Sequence, residues 1–244
     1  SGLWLRVLSE HISIHIRFRE IGISIIGSPI IQCFFKYIAL PILSNNSEKK
    51  IFCPVTVKRP ITFPDTLTDV LPALGTHEAM TSAQIMRMFG SLPEELVRVH
   101  NWRRDTVTLG RIPETFVRDV SDGLLSFDYP VQLNRMIPEG GYDAVFSIGQ
   151  VVPHEVVGLA NYTKNIFVGT GGKEAIDKSH YLGAVYGMER MMGRADTPVR
   201  QVLNHAAREY ARNIPLVYIL TVLENSEEGE MILRGLFAGD DDEC

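Results

Sequence analysis

The sequence predicts an α/β protein with an open, twisted, largely parallel sheet, flanking helices and a C-terminal β-hairpin. Three observations lead to this class. The segment 143–149 is largely apolar and ends in glycine, as parallel strands covered on both faces do. Helix-capping signals follow such apolar segments along the chain. Near the C terminus, apolar runs at 216–224 and 231–240 flank a polar turn, which predicts the hairpin.

The first half of the chain begins with strands. Residues 11–19 alternate apolar and polar side chains, which is the period of a half-buried strand. Residues 51–57 form a second apolar run that is long enough for a strand. Thr81 with Gln84 has the form of a capping box, so a helix is predicted to open there.

Two helices are predicted in the second half. A recurrence every three or four residues predicts a helix from 173 to 193, with an apolar-leaning face that contains His180. Thr197 followed by Pro198 is a cap with proline at the first helical position, and this helix should run through Ala211. His205 inside it is interpreted as structural.

Composition and charge exclude some classes of function. The 244 residues include 22% charged side chains and carry a formal charge of −5, with no cluster of basic residues. Such a chain has no field to concentrate nucleic acid or an anionic membrane surface. Three cysteines form an odd set without metal-ligand spacing, which favours a reducing cytoplasm.

The N-terminal region is less typical. Residues 21–43 are apolar enough to suggest a membrane span, but Pro29, Gln32, Lys36 and Pro41 interrupt them, which favours buried strands. We therefore expect no membrane segment. The predicted organisation is a β-rich region over 1–50 and a catalytic domain over 51–244.

Two histidines share one structural position. His77 lies between an apolar segment and the helix opened by Thr81, and His154 lies a few residues beyond the strand at 143–149. Loops at the carboxyl ends of strands carry the ligands in open α/β sheets. His77 could instead help to cap its helix, and His180 could be a core histidine rather than a metal ligand.

General motifs do not fit these residues. The segment 168–173 lacks the first glycine of a phosphate loop, and no G-x-G-x-x-G, H-E-x-x-H or G-x-S-x-G is present. A pair of loop histidines suits a reaction that removes a proton from one face of a substrate and returns it to the other. A racemase or epimerase has this requirement.

Three stretches carry a more specific pattern. They are ALGTHEAMT around His77, IGQVVPHEVVGLANYTKN over 148–165, and the sixteen-residue step from Lys164 to His180. Together they resemble the nickel-pincer-dependent lactate racemase family. The resemblance covers 51–244 and implies the N-terminal catalytic domain of a two-domain enzyme whose second domain this chain lacks.

The resemblance implies a role for five residues. Lys164 would hold a nickel-pincer nucleotide, a nicotinate-derived mononucleotide, through a thioamide-type link, and His180 would complete the nickel coordination. His77 and His154 would be the paired acid/base histidines, which move the hydroxyl proton of the substrate. This substrate would be a 2-hydroxy acid, either lactate-like or a sugar acid, whose α-hydride moves to the cofactor and back. Arg59 would hold the substrate carboxylate, a task that suits a bidentate donor.

The chain departs from the family pattern in three places. The family usually has Ser-Gly-Gly-Arg before the lysine, whereas this chain has Ala-Asn-Tyr-Thr at 160–163. Thr56 stands where an acidic residue is expected, and the segment between Arg59 and His77 is shorter than the pattern. Two other functions stay open: a ligand-binding homologue without catalysis, and a metal-dependent hydrolase or lyase that uses the same histidines.

Overall fold

The structure is a computed structural model that describes residues 3–9, 12–18, 51–56, 67–89, 92–225 and 231–240. Its strands are β1 (Leu3–Ser9), β2 (Ile12–Phe18), β3 (Ile51–Thr56), β4 (Leu67–Pro72), β5 (Thr106–Ile112), β6 (Tyr129–Asn134), β7 (Ala144–Gln150), β8 (Pro153–His154), β9 (Gly158–Leu159), β10 (Leu216–Asn225) and β11 (Met231–Gly239). Its α-helices are α1 (Ser82–Phe89), α2 (Glu114–Val120), α3 (Met136–Glu139), α4 (Lys173–Tyr186), α5 (Met188–Met191) and α6 (Pro198–Tyr210). A 3₁₀-helix covers Glu94–Leu96 and a π-helix covers Asn165–Gly169.

Seven strands form one mixed sheet in the order β1-β2-β11-β10-β7-β3-β4. The pairs β2–β11, β10–β7, β7–β3 and β3–β4 are parallel, and β1–β2 and β10–β11 are antiparallel. The predicted α/β class, with a largely parallel sheet and a C-terminal hairpin, is confirmed. Because β3 is parallel to both β4 and β7, the chain leaves all three strands at the same edge of the sheet.

A second layer covers the central strands. It consists of the antiparallel ribbon β5–β6 together with α2, α4 and α6, which pack on one another and on the ribbon. Tyr129, Val131 and Leu133 of β6 are fully buried. They join Val145 of β7 and Leu220 of β10 in one hydrophobic cluster. This cluster fixes α4 and α6 against the part of the sheet from which the site is built.

The predicted helix starts are confirmed in detail. The Thr81 backbone N–H donates to the Gln84 side chain over 2.8 Å, and the Gln84 N–H donates back to Thr81 Oγ1 over 3.3 Å. This is a complete capping box. Thr197 Oγ1 likewise accepts the N–H of Arg200 and caps α6, with Pro198 at its first position. His205 stacks on Phe116 at 4.2 Å between ring centroids, as a structural histidine does.

The prediction of one helix over 173–193 is wrong in two respects. The helix breaks at Gly187, whose φ of 106° is open to glycine but strained for other residues, and α5 follows as a separate turn. The predicted apolar face is also misplaced, because His180 is exposed. The buried face of α4 consists of Ala175, Ile176, Ser179, Leu182 and Gly183. Small residues let α4 lie close to its neighbours, and a pattern based on large apolar residues misses such a face.

Some sequence predictions lie outside the described residues. These include the apolar stretch 21–43 and Arg59. In the part of the chain that the structure describes, no helix is long and apolar enough to cross a membrane. The predicted strand at 11–19 is present as β2, and with β1 it extends the sheet beyond β11.

A buried histidine links the second layer to the site region. His100 Nε2 donates to the Gly171 carbonyl over 3.0 Å, and its Nδ1 accepts from the Asn134 amide over 3.0 Å. Both ring nitrogens are therefore satisfied in the neutral form. Burial lowers the pKa of His100 below the ordinary 6.5, against smaller raising effects of the Gly171 hydrogen bond and Asp105.

The His100 pKa predicts a loss of stability in acid. Because the unfolded chain binds the His100 proton more readily, this stability is complete above about pH 6.5 and is lost as pH falls below that value. We expect the free energy of unfolding, measured with urea, to fall between pH 7.5 and 5.5. The His100→Gln variant should be less stable at pH 7.5 and should show a shallower decline. An equal decline in both proteins would contradict the assignment.

Candidate active site

Three strand ends form the floor of the candidate site. The loop after β4 carries His77, and the segment after β7 carries His154. These strands are separated only by β3, so their ends lie roughly 10 Å apart, twice the usual strand spacing. This distance leaves room for a small substrate between the two loops. Arg59 follows β3 in the sequence but lies outside the described residues.

His154 lies in a tight hairpin directly after β7. Strand β8 pairs with β9, which puts His154 opposite Gly158. Gly158 has φ 89°, and a Cβ atom there would collide with the Arg194 carbonyl, so the turn requires glycine. The His154 side chain is 20% exposed. The Val156 N–H donates to His154 Nδ1 over 3.1 Å, so the neutral ring carries its proton on Nε2.

Burial and nearby groups lower the pKa of His154. Burial is the largest cause, and the electrostatic effects of Lys164, His180 and Arg200 lower the pKa further. Glu155 acts in the opposite direction, with its carboxylate 3.9 Å from His154 Nδ1. The pKa of Glu155 is itself lowered, first by its own backbone N–H and then by His154, Lys164 and His180. These effects connect five side chains, which we call the electrostatic cluster: His154, Glu155, Lys164, His180 and Arg200.

Lys164 follows a left-handed turn. Asn161 and Tyr162 have φ values of 63° and 57°, a region that favours glycine. They stand at the two positions where the resembling family usually has glycine, so the backbone conformation explains that preference. The chain then turns into a helix at Thr163, and the fully buried π-helix Asn165–Gly169 begins directly after Lys164. The chain is therefore helical at the lysine.

Burial and nearby charges also shift the pKa of the Lys164 amine. Burial lowers its pKa most, Glu155 opposes this effect, and Arg200 lowers the pKa further. A lowered pKa increases the fraction of neutral amine near pH 7, and the neutral amine is the nucleophilic form.

His180 presents one ring nitrogen for coordination. Its Nδ1–H donates to the Ile176 carbonyl one turn earlier over 2.7 Å, which leaves the Nε2 lone pair available on the exposed face of α4. Metal-binding histidines usually have this arrangement, with the other nitrogen held by a carbonyl or carboxylate. Among the described residues, no three His, Cys, Asp or Glu side chains converge to hold a metal ion.

His77 belongs to the same edge but not to the same charge cluster. It is exposed, and its backbone N–H donates to the Leu74 carbonyl over 3.0 Å. The loop is fixed to the lysine segment because the Gly75 N–H donates to the Gly169 carbonyl over 2.8 Å. The structure thus brings His154, Lys164 and His180 together and puts His77 on the adjoining loop.

Sequence reasoning missed two members of the cluster. Glu155 is adjacent to His154, and this proximity was a usable signal. Arg200 is a cation in the first turn of α6, where the helix dipole disfavours positive charge. Such a violation could have indicated a special role.

A cavity of about 390 Å³ beside Arg208 and Tyr218 is lined by none of the sequence-predicted site residues.

Glu155 is expected to control the titration of His154. In a Glu155→Gln variant the His154 pKa should fall, because the one neighbour that raises it is removed. Titration of the His154 Cε1–H resonance by NMR measures this shift. Glu95→Gln, a change at an exposed glutamate elsewhere, is the control and should leave the resonance unchanged. An unchanged or raised midpoint in Glu155→Gln would exclude the coupling.

Similarity to solved structures agrees with the fold. A crystal structure of a protein from Thermotoga maritima aligns with TM-score 0.67 and 25% identity, over 82% of this chain and 53% of that chain. The lactate racemase apoprotein from Thermoanaerobacterium thermosaccharolyticum aligns with TM-score 0.56 and 17% identity, over 81% and 47%. This chain therefore spans about half the length of both proteins.

Sequence comparison identifies the family. No curated protein sequence matches the chain significantly. The sequence profile of the lactate racemase N-terminal domain matches residues 44–193, which is more than half of the chain and includes the segments around His77, His154, Lys164 and His180. The chain belongs to the lactate racemase N-terminal domain family.

Proposed function

We propose that this chain is the catalytic domain of a racemase or epimerase that acts on a 2-hydroxy acid with a nickel-pincer nucleotide. The observation that carries the proposal is the convergence of a buried lysine amine, a neutral histidine and a free imidazole nitrogen on one electrostatic cluster. Family membership connects this cluster to racemase chemistry.

The residues present fit such a cofactor. The Lys164 amine would hold it covalently, and His180 Nε2 would supply an imidazole ligand to nickel, a suitable donor for this metal. When bound, the cofactor would accept the α-hydride of the substrate and return it to either face. Lys164 and Arg200 give the cluster two basic side chains against one acidic neighbour, Glu155, so it suits a negatively charged ligand.

The two loop histidines would handle the hydroxyl proton. His154 is kept neutral and half-buried, so it could accept this proton and later return it through the imidazole ring. His77, on the loop after β4, would perform the same role from the other side of the substrate. Arg59 would bind the carboxylate. A lactate-like acid and a sugar acid both satisfy these requirements.

A second domain and a cytoplasmic location belong to the same proposal. The chain spans about half of the solved proteins it resembles, and His77 and His180 are both exposed. A second domain would close over these residues and add substrate contacts. Three cysteines without metal-ligand spacing suit the reducing cytoplasm.

One observation favours a different function. Asn161, Tyr162 and Thr163 replace the usual Gly-Gly-Arg before the lysine, and these changes could accompany a loss of catalysis in a ligand-binding homologue. Binding of a 2-hydroxy acid that survives His77→Ala and His154→Ala, without isomerisation by the intact protein, would select this alternative.

The proposed function is tested by covalent loading. The protein is co-expressed with the enzymes of cofactor synthesis, and nickel content and peptide masses are then measured. We expect nickel together with an adduct on Lys164, and loss of the adduct in Lys164→Ala. Lys173→Ala, at an exposed lysine, is the control and should load normally. Activity with zinc or manganese that persists in Lys164→Ala would instead indicate a hydrolase or lyase.

A further inference from the structure

Arg200 is enclosed by the turn that precedes Lys164. Its Nη1 donates to the Asn161 carbonyl over 3.2 Å and to Thr163 Oγ1 over 2.7 Å, and its Nη2 donates to the Leu159 carbonyl. The guanidinium carbon also lies 5.7 Å from the centre of the Tyr162 ring. One side chain from α6 therefore contacts four of the five residues that precede the lysine.

The position of Arg200 is unfavourable for the fold alone. The residue is 6% exposed, and among the described residues no carboxylate forms an ion pair with it. The pKa of Arg200 is lowered to about 10, and burial is the main cause of this shift. It also lies in the first turn of α6, which contains no acidic residue to offset the helix dipole. Local rules are commonly violated in this way at functional sites.

The turn itself needs external support. Two successive residues with side chains have left-handed backbone angles, which is unfavourable without glycine. The Asn161 side chain donates to the Gln150 carbonyl and packs on Gly149 at the end of β7. Thr163 Oγ1, which accepts from Arg200, donates to Asn204 Oδ1 over 2.9 Å. Arg200 thus links the turn to α6, while Asn161 links it to the sheet.

We propose that Arg200 is a positioning residue for Lys164. Residues 159–163 fold around the Arg200 guanidinium, and this arrangement holds the lysine amine beside His154 with a second cation, Arg200 itself, nearby. The use of the amine for cofactor attachment rests on the proposed function. The position and titration of the amine do not, because they are properties of the chain alone.

Two effects of Arg200 can be separated by substitution. Arg200→Gln removes both the charge and most of the hydrogen bonds, whereas Arg200→Lys retains the charge but cannot reach three acceptors. The charge should affect the titration midpoint of the Lys164 amine, because Arg200 lowers the pKa of Lys164. The hydrogen bonds should affect the order of the turn.

The experiment measures the rate at which trace acetic anhydride acylates Lys164 between pH 6 and 11, by peptide mass spectrometry. Arg200→Gln should move the midpoint upward and reduce the rate at pH 7 roughly three- to ten-fold. Arg200→Lys should keep a midpoint close to that of the unsubstituted protein. Both variants should exchange backbone hydrogens faster in 159–163. Arg208→Gln, at an exposed arginine of the same helix, should change neither measurement.

A milder variant covers the case in which Arg200→Gln does not fold. Thr163→Val removes one acceptor of Arg200 and preserves the side-chain shape, so it should accelerate exchange in the turn with a smaller effect on acylation. Superimposable acylation and exchange profiles for the unsubstituted protein and the folded variants would overturn the proposal. Because acetic anhydride needs no cofactor, this result is independent of whether the cofactor ever attaches.

Discussion

Replacement of His154 by glutamine is expected to lower kcat for racemisation of a 2-hydroxy acid about 10²–10⁴-fold, the usual contribution of a general acid or base. Glutamine retains a polar side chain of similar reach but cannot carry a proton between substrate and solvent. The measurement is a chiral assay of cofactor-loaded protein, with adduct formation on Lys164 measured in parallel. Loading should be little changed, because the substitution leaves the amine and His180 in position.

His205→Gln is the matched control for this result. His205 packs on Phe116 away from the cluster, so its replacement should leave racemisation within about two-fold. A loaded His154→Gln protein with unimpaired racemisation would remove His154 from the proton-transfer role. Equal losses in both histidine variants would indicate a general effect of instability instead.

The second large effect concerns stability. Phe167 is 1% exposed in the middle of the π-helix that follows Lys164, and its ring belongs to the main hydrophobic cluster. Phe167→Ala should reduce the free energy of unfolding by about 3–5 kcal/mol through lost burial and an unfilled cavity. Urea unfolding followed by circular dichroism measures the difference.

An exposed apolar residue provides the comparison for Phe167. Met86 is 64% exposed on α1, and Met86→Ala should change stability by no more than about 0.5 kcal/mol. A loss below about 1 kcal/mol in Phe167→Ala would show that the π-helix packs loosely. The same variant should also lose ordered placement of Lys164, which directly precedes this helix.

The fold was predictable where short-range chemistry decides it. The Thr81–Gln84 box and the Thr197–Pro198 cap each contain their own hydrogen-bonding groups, so the helix starts followed from a few adjacent residues. The largely apolar sequence of β7 predicted its burial on both faces. The edge shared by His77 and His154 followed from the general rule for carboxyl ends of parallel strands.

The remaining features depend on tertiary contacts. His180 was assigned to an apolar face because large side chains determine a helical pattern, whereas α4 buries Ala175, Ser179 and Gly183. The left-handed turn at Asn161 is held by residues distant in sequence: its side chain packs on Gly149 and donates to the Gln150 carbonyl, and its own carbonyl accepts from Arg200. No local pattern contains these contacts. This chain has Asn161 and Tyr162 where the family motif usually has glycine, so its own sequence contains no glycine that would indicate the left-handed conformation.

The hydrogen bond from Gly75 to Gly169 makes a single amide a reporter of both halves of the site. It joins the loop of His77 to the helix that begins after Lys164, so neither segment can separate without exposing that N–H to solvent. In an NMR spectrum, the Gly75 resonance should therefore respond to chemistry on the lysine as well as to ligands near His77. One glycine signal would then follow assembly of the site in real time, without any substrate turnover.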